Sequence, residues 1–346
     1  MAELVTLEEI RAAQRRLAGV AVRTGLYRVN PASLRAAGVV ADLPFALWVK
    51  AESEQPIGSF KLRGAYNRVA QMTAAELRRG VITYSSGNHG QGVAYAARAL
   101  GAYAVVVMPA NAPALKHDAV RALGAEVVLV GAGSEERRAK AETLAAEHGY
   151  TVVPPYDDPA IVAGQATCGL EILEQMGPSD GVTVILSPVS GGGLLSGIAS
   201  AVKLSGATGV QVWGAEPELA ADAKESFDTK TLVEWPAERT TRTISDGLRT
   251  QSLGRLNFEH IVRFVDGIVT VSEEEIVAAM RVMMAATGMV AEPSGAVTMA
   301  AALFHHKELP PCERMVAVLS GGNIEAGMRR ELEVGAEASM QARAGV

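Results

Sequence analysis

Short runs of β-branched and aliphatic residues alternate with longer alanine-rich stretches through most of this chain, and that rhythm confines it to a narrow set of folds. The clearest runs are residues 81–84, 103–108, 126–130, 182–186, 210–215 and 315–319. Between them, residues 91–100, 113–123, 135–148 and 272–287 carry apolar side chains at helical spacing. Several of these stretches have Pro or Ser near the start and Gly just past the end. The pattern predicts an α/β protein with open, mostly parallel sheets flanked by helices. Residues 76–156 form a compact run of strand and helix units able to make a sheet of their own. The expected division is therefore a large domain of residues 1–75 and 157–346 and a small mobile domain of residues 76–156.

The chain has 346 residues, 49% of them hydrophobic, enough to bury one large core or two smaller ones. Its 32 basic and 38 acidic residues give a net charge of −6 without long like-sign runs, which argues against nucleic acid as a partner. No apolar run reaches membrane-spanning length and residues 1–16 lack the apolar core of a leader, so a cytoplasmic protein is expected. Cys168 and Cys312 stand far apart without metal-ligand spacing and are expected to be buried and inert.

Four glycine-containing motifs carry the chemistry. The first, Gly58-Ser59-Phe60-Lys61-Leu62-Arg63-Gly64-Ala65, sets a lysine at the start of a helix, where the dipole lowers its pKa. The second, Ser85-Ser86-Gly87-Asn88-His89-Gly90-Gln91-Gly92, is a strand-to-helix turn packed with short donors able to hold a carboxylate. In Ser190-Gly191-Gly192-Gly193-Leu194-Leu195-Ser196-Gly197, consecutive glycines allow backbone amides to close around a phosphate. It has neither the Lys-Ser/Thr end of a nucleotide loop nor the GxGxxG spacing of a dinucleotide fold, which leaves the phosphate of a small cofactor. The last, Leu319-Ser320-Gly321-Gly322-Asn323, puts a hydroxyl at a strand end, where α/β sheets bind ligands. Singly, each reads as a solvated lysine or an ordinary glycine turn, and His89 as a structural histidine.

In this order, the four motifs resemble the fold-type II pyridoxal phosphate enzymes, the two-domain fold of the tryptophan synthase β kind, and within it the serine/threonine dehydratase and serine racemase branch. Lys50-Ala51-Glu52, Asp158-Pro159, Ala163-Gly164-Gln165, Ala215-Glu216-Pro217, Ser245-Asp246-Gly247-Leu248 and Glu292-Pro293-Ser294-Gly295-Ala296 extend the resemblance over nearly the whole chain. It implies that Lys61 carries pyridoxal 5'-phosphate as a Schiff base, with Phe60 beside the ring and Asn88 on its 3'-oxygen. Ser190, Gly191, Gly192, Gly193 and Leu194 would hold the phosphate and Ser320 the pyridine nitrogen, with Gly247 and Glu292 also at the cofactor. Ser85, Ser86 and His89 would hold the substrate carboxylate, and Tyr156 would face its side chain.

The reaction implied is loss of the β-hydroxyl from a small hydroxy amino acid, with Lys61 removing the Cα proton and the resulting enamine hydrolysing to a 2-oxo acid and ammonia. A serine racemase using Ser86 on the opposite ring face is the alternative within the family. From other classes come a catalytically silent amino-acid-binding protein and an NAD-dependent enzyme. The carboxylates of Glu216 and Asp222 and the carbonyl of Ala220 resemble a divalent cation site of serine racemase-like members, suited to Mg²⁺ or Ca²⁺. A homodimer is the minimum assembly implied. The roughly twenty residues after Asn323 are too few for an appended regulatory domain.

Two departures stand out. Ser190 replaces a further glycine of the phosphate loop, and Pro154-Pro155-Tyr156 replaces a His-Pro-Phe-like stretch, which leaves the substrate side chain open. Arg137 and Arg138 open a helix and could meet a second substrate carboxylate, as in 3-hydroxyaspartate, although an exposed arginine pair is the simpler expectation.

Overall fold

A computed structural model describes residues 4–39, 42–85, 87–112, 114–131, 133–177 and 181–334. Its strands in chain order are β1 (Leu26–Arg28), β2 (Ala46–Ala51), β3 (Val81–Tyr84), β4 (Ala104–Pro109), β5 (Glu126–Val130), β6 (Thr151–Val152), β7 (Thr183–Pro188), β8 (Val210–Pro217), β9 (Gly267–Val271) and β10 (Arg314–Leu319). They form two sheets. Six strands run in the order β1-β2-β10-β7-β8-β9 and four in the order β5-β4-β3-β6. Every pairing is parallel except that of β1 with β2. Every residue of β4 and β7 is buried, as strands covered by helices on both faces must be.

All four strands of the smaller sheet fall between residues 76 and 156. The expected runs at 103–108, 182–186 and 210–215 are strands displaced or lengthened by one or two residues. Four strands carry no clear signal in the sequence. β1 and β6 are too short to show a pattern, and β9 contains a glycine. β2 ends in Lys50-Ala51, and that lysine reads as surface until its partner is known.

That partner lies in a wholly buried ionic cluster behind the lysine motif. Lys50 Nζ meets Glu171 at 2.6 Å, and the Arg63 guanidinium spans Glu52 at 2.7 Å and Glu171 at 2.7 Å. Two cations thus face two anions, and the remaining donors go to the Thr24 carbonyl, Gln175 and Thr167. Burial alone would raise the Glu52 carboxyl, but Arg63 beside it holds it down to about 2. The cluster fastens helix Lys61–Val69 to the end of β2 and to helix Pro159–Met176. The fit is backbone to backbone, since a Cβ on Gly164 would stand 2.7 Å from the Arg63 carbonyl.

The other face of helix Lys61–Val69 joins the core of the smaller sheet, where Ala65 and Val69 meet Val93, Ala94 and Ala97 of helix Asn88–Leu100. The lysine helix therefore forms the seam between the two sheets. Cys168 is buried as expected, whereas Cys312 is partly exposed because it lies just before β10. Among the described residues no helix is long and apolar enough to cross a membrane.

Candidate active site

The ends of three strands open into one cleft between the sheets. Ser85 follows β3, Ser190 follows β7 and Ser320 follows β10. This is where parallel sheets leave helix N-termini and unpaired backbone N–H groups directed at a ligand. Phe60, Lys61, Ser85, Asn88, His89, Tyr156, the run from Ser190 to Leu194, Gly247, Glu292 and Ser320 all line this cleft. Ser86, also expected there, lies outside the described residues. Glu216, Ala220 and Asp222 lie elsewhere, at the end of β8.

Lys61 is the first residue of helix Lys61–Val69. Its ammonium donates to the Pro155 carbonyl at 2.7 Å and lies 5.2 Å from the centroid of the Phe60 ring. Burial lowers its pKa to about 8, so the neutral amine is accessible near physiological pH. The Gly58 turn that delivers it is clamped by the last motif: Phe60 N–H donates to the Ser320 carbonyl at 3.0 Å, and Asn323 donates to the Ile57 carbonyl at 2.9 Å.

Asn323 also donates to Asn88 Oδ1 at 2.8 Å, while Asn88 Nδ2 donates to Glu292 at 2.7 Å. Burial, with Asp246 nearby, pushes the Glu292 carboxyl up to about 7. His89 is buried too, and its Nε2 meets the Val153 carbonyl at 3.1 Å. A carbonyl only accepts, so Nε2 carries the proton and buried Nδ1 is left an acceptor without a partner among the described residues. Desolvation and Lys61 lower the imidazole pKa to about 3, which keeps the ring neutral. In that tautomer it has no proton to offer a carboxylate. Ser85 is different, because its hydroxyl accepts from Gly87 N–H at 3.1 Å and keeps its own proton for a ligand.

At the other end of the cleft, helix Gly193–Leu204 makes its first backbone bond from Ser196 N–H to the Gly192 carbonyl. The N–H groups of Gly193, Leu194 and Leu195 precede it and have no acceptor within the helix. Gly192 adopts φ +93°, open to glycine, and the Tyr156 ring lies where a Cβ on Gly191 would be, 2.4 Å away. A side chain at Gly191 would thus displace the ring that walls this cradle. Amide donors, a helix dipole, a buried amine of lowered pKa and an aromatic ring beside it fit pyridoxal phosphate.

Several residues in or behind the cleft were not singled out as site residues in the sequence. Asn323 belongs to a quoted motif, but its bond to Asn88 crosses 235 positions. Lys116, from helix Ala114–Ala122, pairs with Asp246 and lays its stem on Gly87, where a Cβ would come within 2.9 Å of it. Tyr84, Pro155, Thr250 and Ser294 also line the cleft. The arginine pair divides: Arg137 is half-buried and lines the cleft, whereas Arg138 is exposed and pairs with Glu142 at 2.9 Å. An exposed pair is therefore correct only for Arg138.

The Glu216 and Asp222 side chains are completely buried. Glu216 Oε2 accepts from Lys224 N–H at 3.0 Å, but among the described residues Glu216 Oε1 and both Asp222 oxygens have no hydrogen-bond partner. Burial raises both carboxyl pKa values. Orphaned carboxylate oxygens fit a hard divalent cation, completed by a carbonyl and water.

Fold and cleft together define a class: a two-sheet α/β enzyme whose cleft sets a half-buried lysine opposite a glycine loop able to take the phosphate of a cofactor. Residues 23–321 match the family described as pyridoxal-phosphate dependent enzyme. The chain belongs to that family. It is 40% identical over 279 residues to an L-threo-3-hydroxyaspartate ammonia-lyase of Saccharomyces cerevisiae, covering 81% of this chain and 83% of the relative. It is 35% identical over 322 residues to a serine racemase of Schizosaccharomyces pombe, covering 93% and 95%. The crystal structure of a threonine deaminase from T.th. superposes with a TM-score of 0.84 at 41% identity, covering 92% of this chain and 99% of that one.

Proposed function

We propose that this protein is a pyridoxal phosphate-dependent dehydratase that converts a β-hydroxy L-amino acid to a 2-oxo acid and ammonia, and that its substrate carries a second carboxylate, as 3-hydroxyaspartate does. The observation that carries the substrate reading is Arg137, a permanent cation placed in the same cleft as Lys61 and the Ser85 turn. Similarity to a hydroxyaspartate ammonia-lyase supports it.

Ser190 to Leu194 would hold the cofactor phosphate, Phe60 and Asn88 its ring, and Ser320 its ring nitrogen. Bound there, the cofactor supplies an electron sink for the pair released at the substrate Cα. The chain supplies the rest. Ser85 Oγ and the N–H groups of its turn hold the α-carboxylate, with His89 supporting the turn from behind. Lys61 Nζ, neutral once freed of its proton, takes the Cα hydrogen. Residues 76–156, which carry both the Ser85 turn and Arg137, would close over the bound substrate and exclude water.

The test is 2-oxo acid release from L-threo-3-hydroxyaspartate, L-threonine and L-serine. The dicarboxylate should be the best substrate, and Arg137→Met should lower kcat/KM for it by about 100-fold while sparing threonine. Failure to produce oxo acid from any of the three would sink the dehydratase reading and leave racemisation to be tested by a chiral assay. Lys61→Ala should abolish the visible absorbance band of the lysine-bound cofactor, and a variant that keeps the band would remove Lys61 from the mechanism.

A further inference from the structure

The phosphate loop contains an anomaly of conformation. Ser190 holds φ +56° where a glycine would be at ease, one of two non-glycine residues with positive φ among those described. A serine in this conformation is strained, so its side chain must return something that glycine cannot. Its hydroxyl reaches across to the segment after Asp246, donating to the Gly247 carbonyl at 2.9 Å. Gly247 is fixed from its other side as well, since its N–H donates to Ser294 Oγ at 2.9 Å.

The same Ser190 oxygen lies 3.3 Å from Thr250 Oγ1. Hydrogen-bond accounting gives this contact a direction. The one Ser190 hydroxyl proton is committed to a carbonyl, which cannot donate, so the proton between the two hydroxyls belongs to Thr250. Thr250 and Ser190 both line the cleft beside Gly191, Gly192 and Leu194. Thr250 is therefore tied to the backbone cradle through the residue that departs from glycine.

We propose that Ser190 and Thr250 form a hydroxyl clasp in which Ser190 fixes residues 247–250 against the loop and Thr250, its one proton given to Ser190 Oγ, holds the loop in the shape that receives the cofactor phosphate. This rests on the reading that the loop holds that phosphate. The clasp strengthens retention of the cofactor and leaves its bond with Lys61 alone.

Titration of cofactor-free protein with pyridoxal phosphate and with unphosphorylated pyridoxal, followed by absorbance, tests the clasp. Ser190→Gly and Thr250→Val should each bind pyridoxal phosphate about tenfold more weakly, Thr250→Ser should bind like the native protein, and all should bind pyridoxal equally. Ser190→Gly also relieves the strained φ, so its cofactor-free form should melt no lower than the native one. Native affinity for pyridoxal phosphate in both Ser190→Gly and Thr250→Val would overturn the clasp, as would an equal loss of pyridoxal. A native protein that takes up no pyridoxal phosphate would instead overturn the function proposed above.

Discussion

Lys61 and Arg63 stand two positions apart on one helix and do opposite things with their charge. Lys61 faces the cleft with a single carbonyl partner, and burial brings its pKa down to about 8. In the cofactor-free protein, reductive alkylation of Lys61 should therefore accelerate through an inflection near that pH. Peptide mapping of the alkylated site across a pH series would show this, and an inflection at the ordinary lysine value of 10.5 would refute it. Arg63 faces inward and is fixed by Glu52 and Glu171. Arg63→Met should cost about 3–5 kcal/mol in chemical denaturation, because both carboxylates would stay buried without it. Folding holds Glu52 below its ordinary value of 4.5, so its contribution to stability is complete above that pH and is lost as pH falls through about 2. Arg63 and the lysine both lay open in the sequence as a motif. Which of the two turns inward did not, because that depends on a glutamate 108 positions away.

At the scale of elements, the cleft is spanned by an ion pair. Lys116 on helix Ala114–Ala122 reaches Asp246 on the short turn Asp246–Leu248, with both side chains largely shielded from water. Its stem also covers Gly87, so the pair holds the Ser85 turn toward the larger sheet. Lys116→Met should raise KM for substrate about tenfold with a smaller change in kcat. Added salt should raise KM in the native protein and leave the variant unaffected, which a steady-state series in sodium chloride would reveal. The strand-end motifs were legible because a short apolar run, a glycine turn and a helix start are local patterns. Lys116 and Asp246 were not: each is a charged residue with an ordinary surface reading, and only their juxtaposition across 130 positions gives them a role.

Across the whole molecule, the larger sheet carries a second polar centre at the end of β8. Two buried carboxyl groups whose three remaining oxygens have no partner among the described residues destabilise a fold unless a cation or protons neutralise them. Chelation of divalent cations should lower Tm by about 5 °C, and millimolar Mg²⁺ or Ca²⁺ should restore it. A melting curve indifferent to chelator and cation alike would remove the site. The smaller sheet should be untouched by this treatment, since its strands lie between residues 76 and 156.

The alternation of strand and helix, the four glycine motifs and their order determined the α/β class, the family, the lysine that lines the cleft and the loops that meet at the strand ends. These features are written in neighbouring residues, where periodicity and turn chemistry act. Tertiary structure alone decided that Lys50 and Arg63 are interior, that His89 is a neutral acceptor, that Arg137 enters the cleft while Arg138 does not, and that Ser190 reaches Thr250. Each of these depends on the desolvation and the partner that a side chain meets after distant segments pack, and no local pattern carries that information.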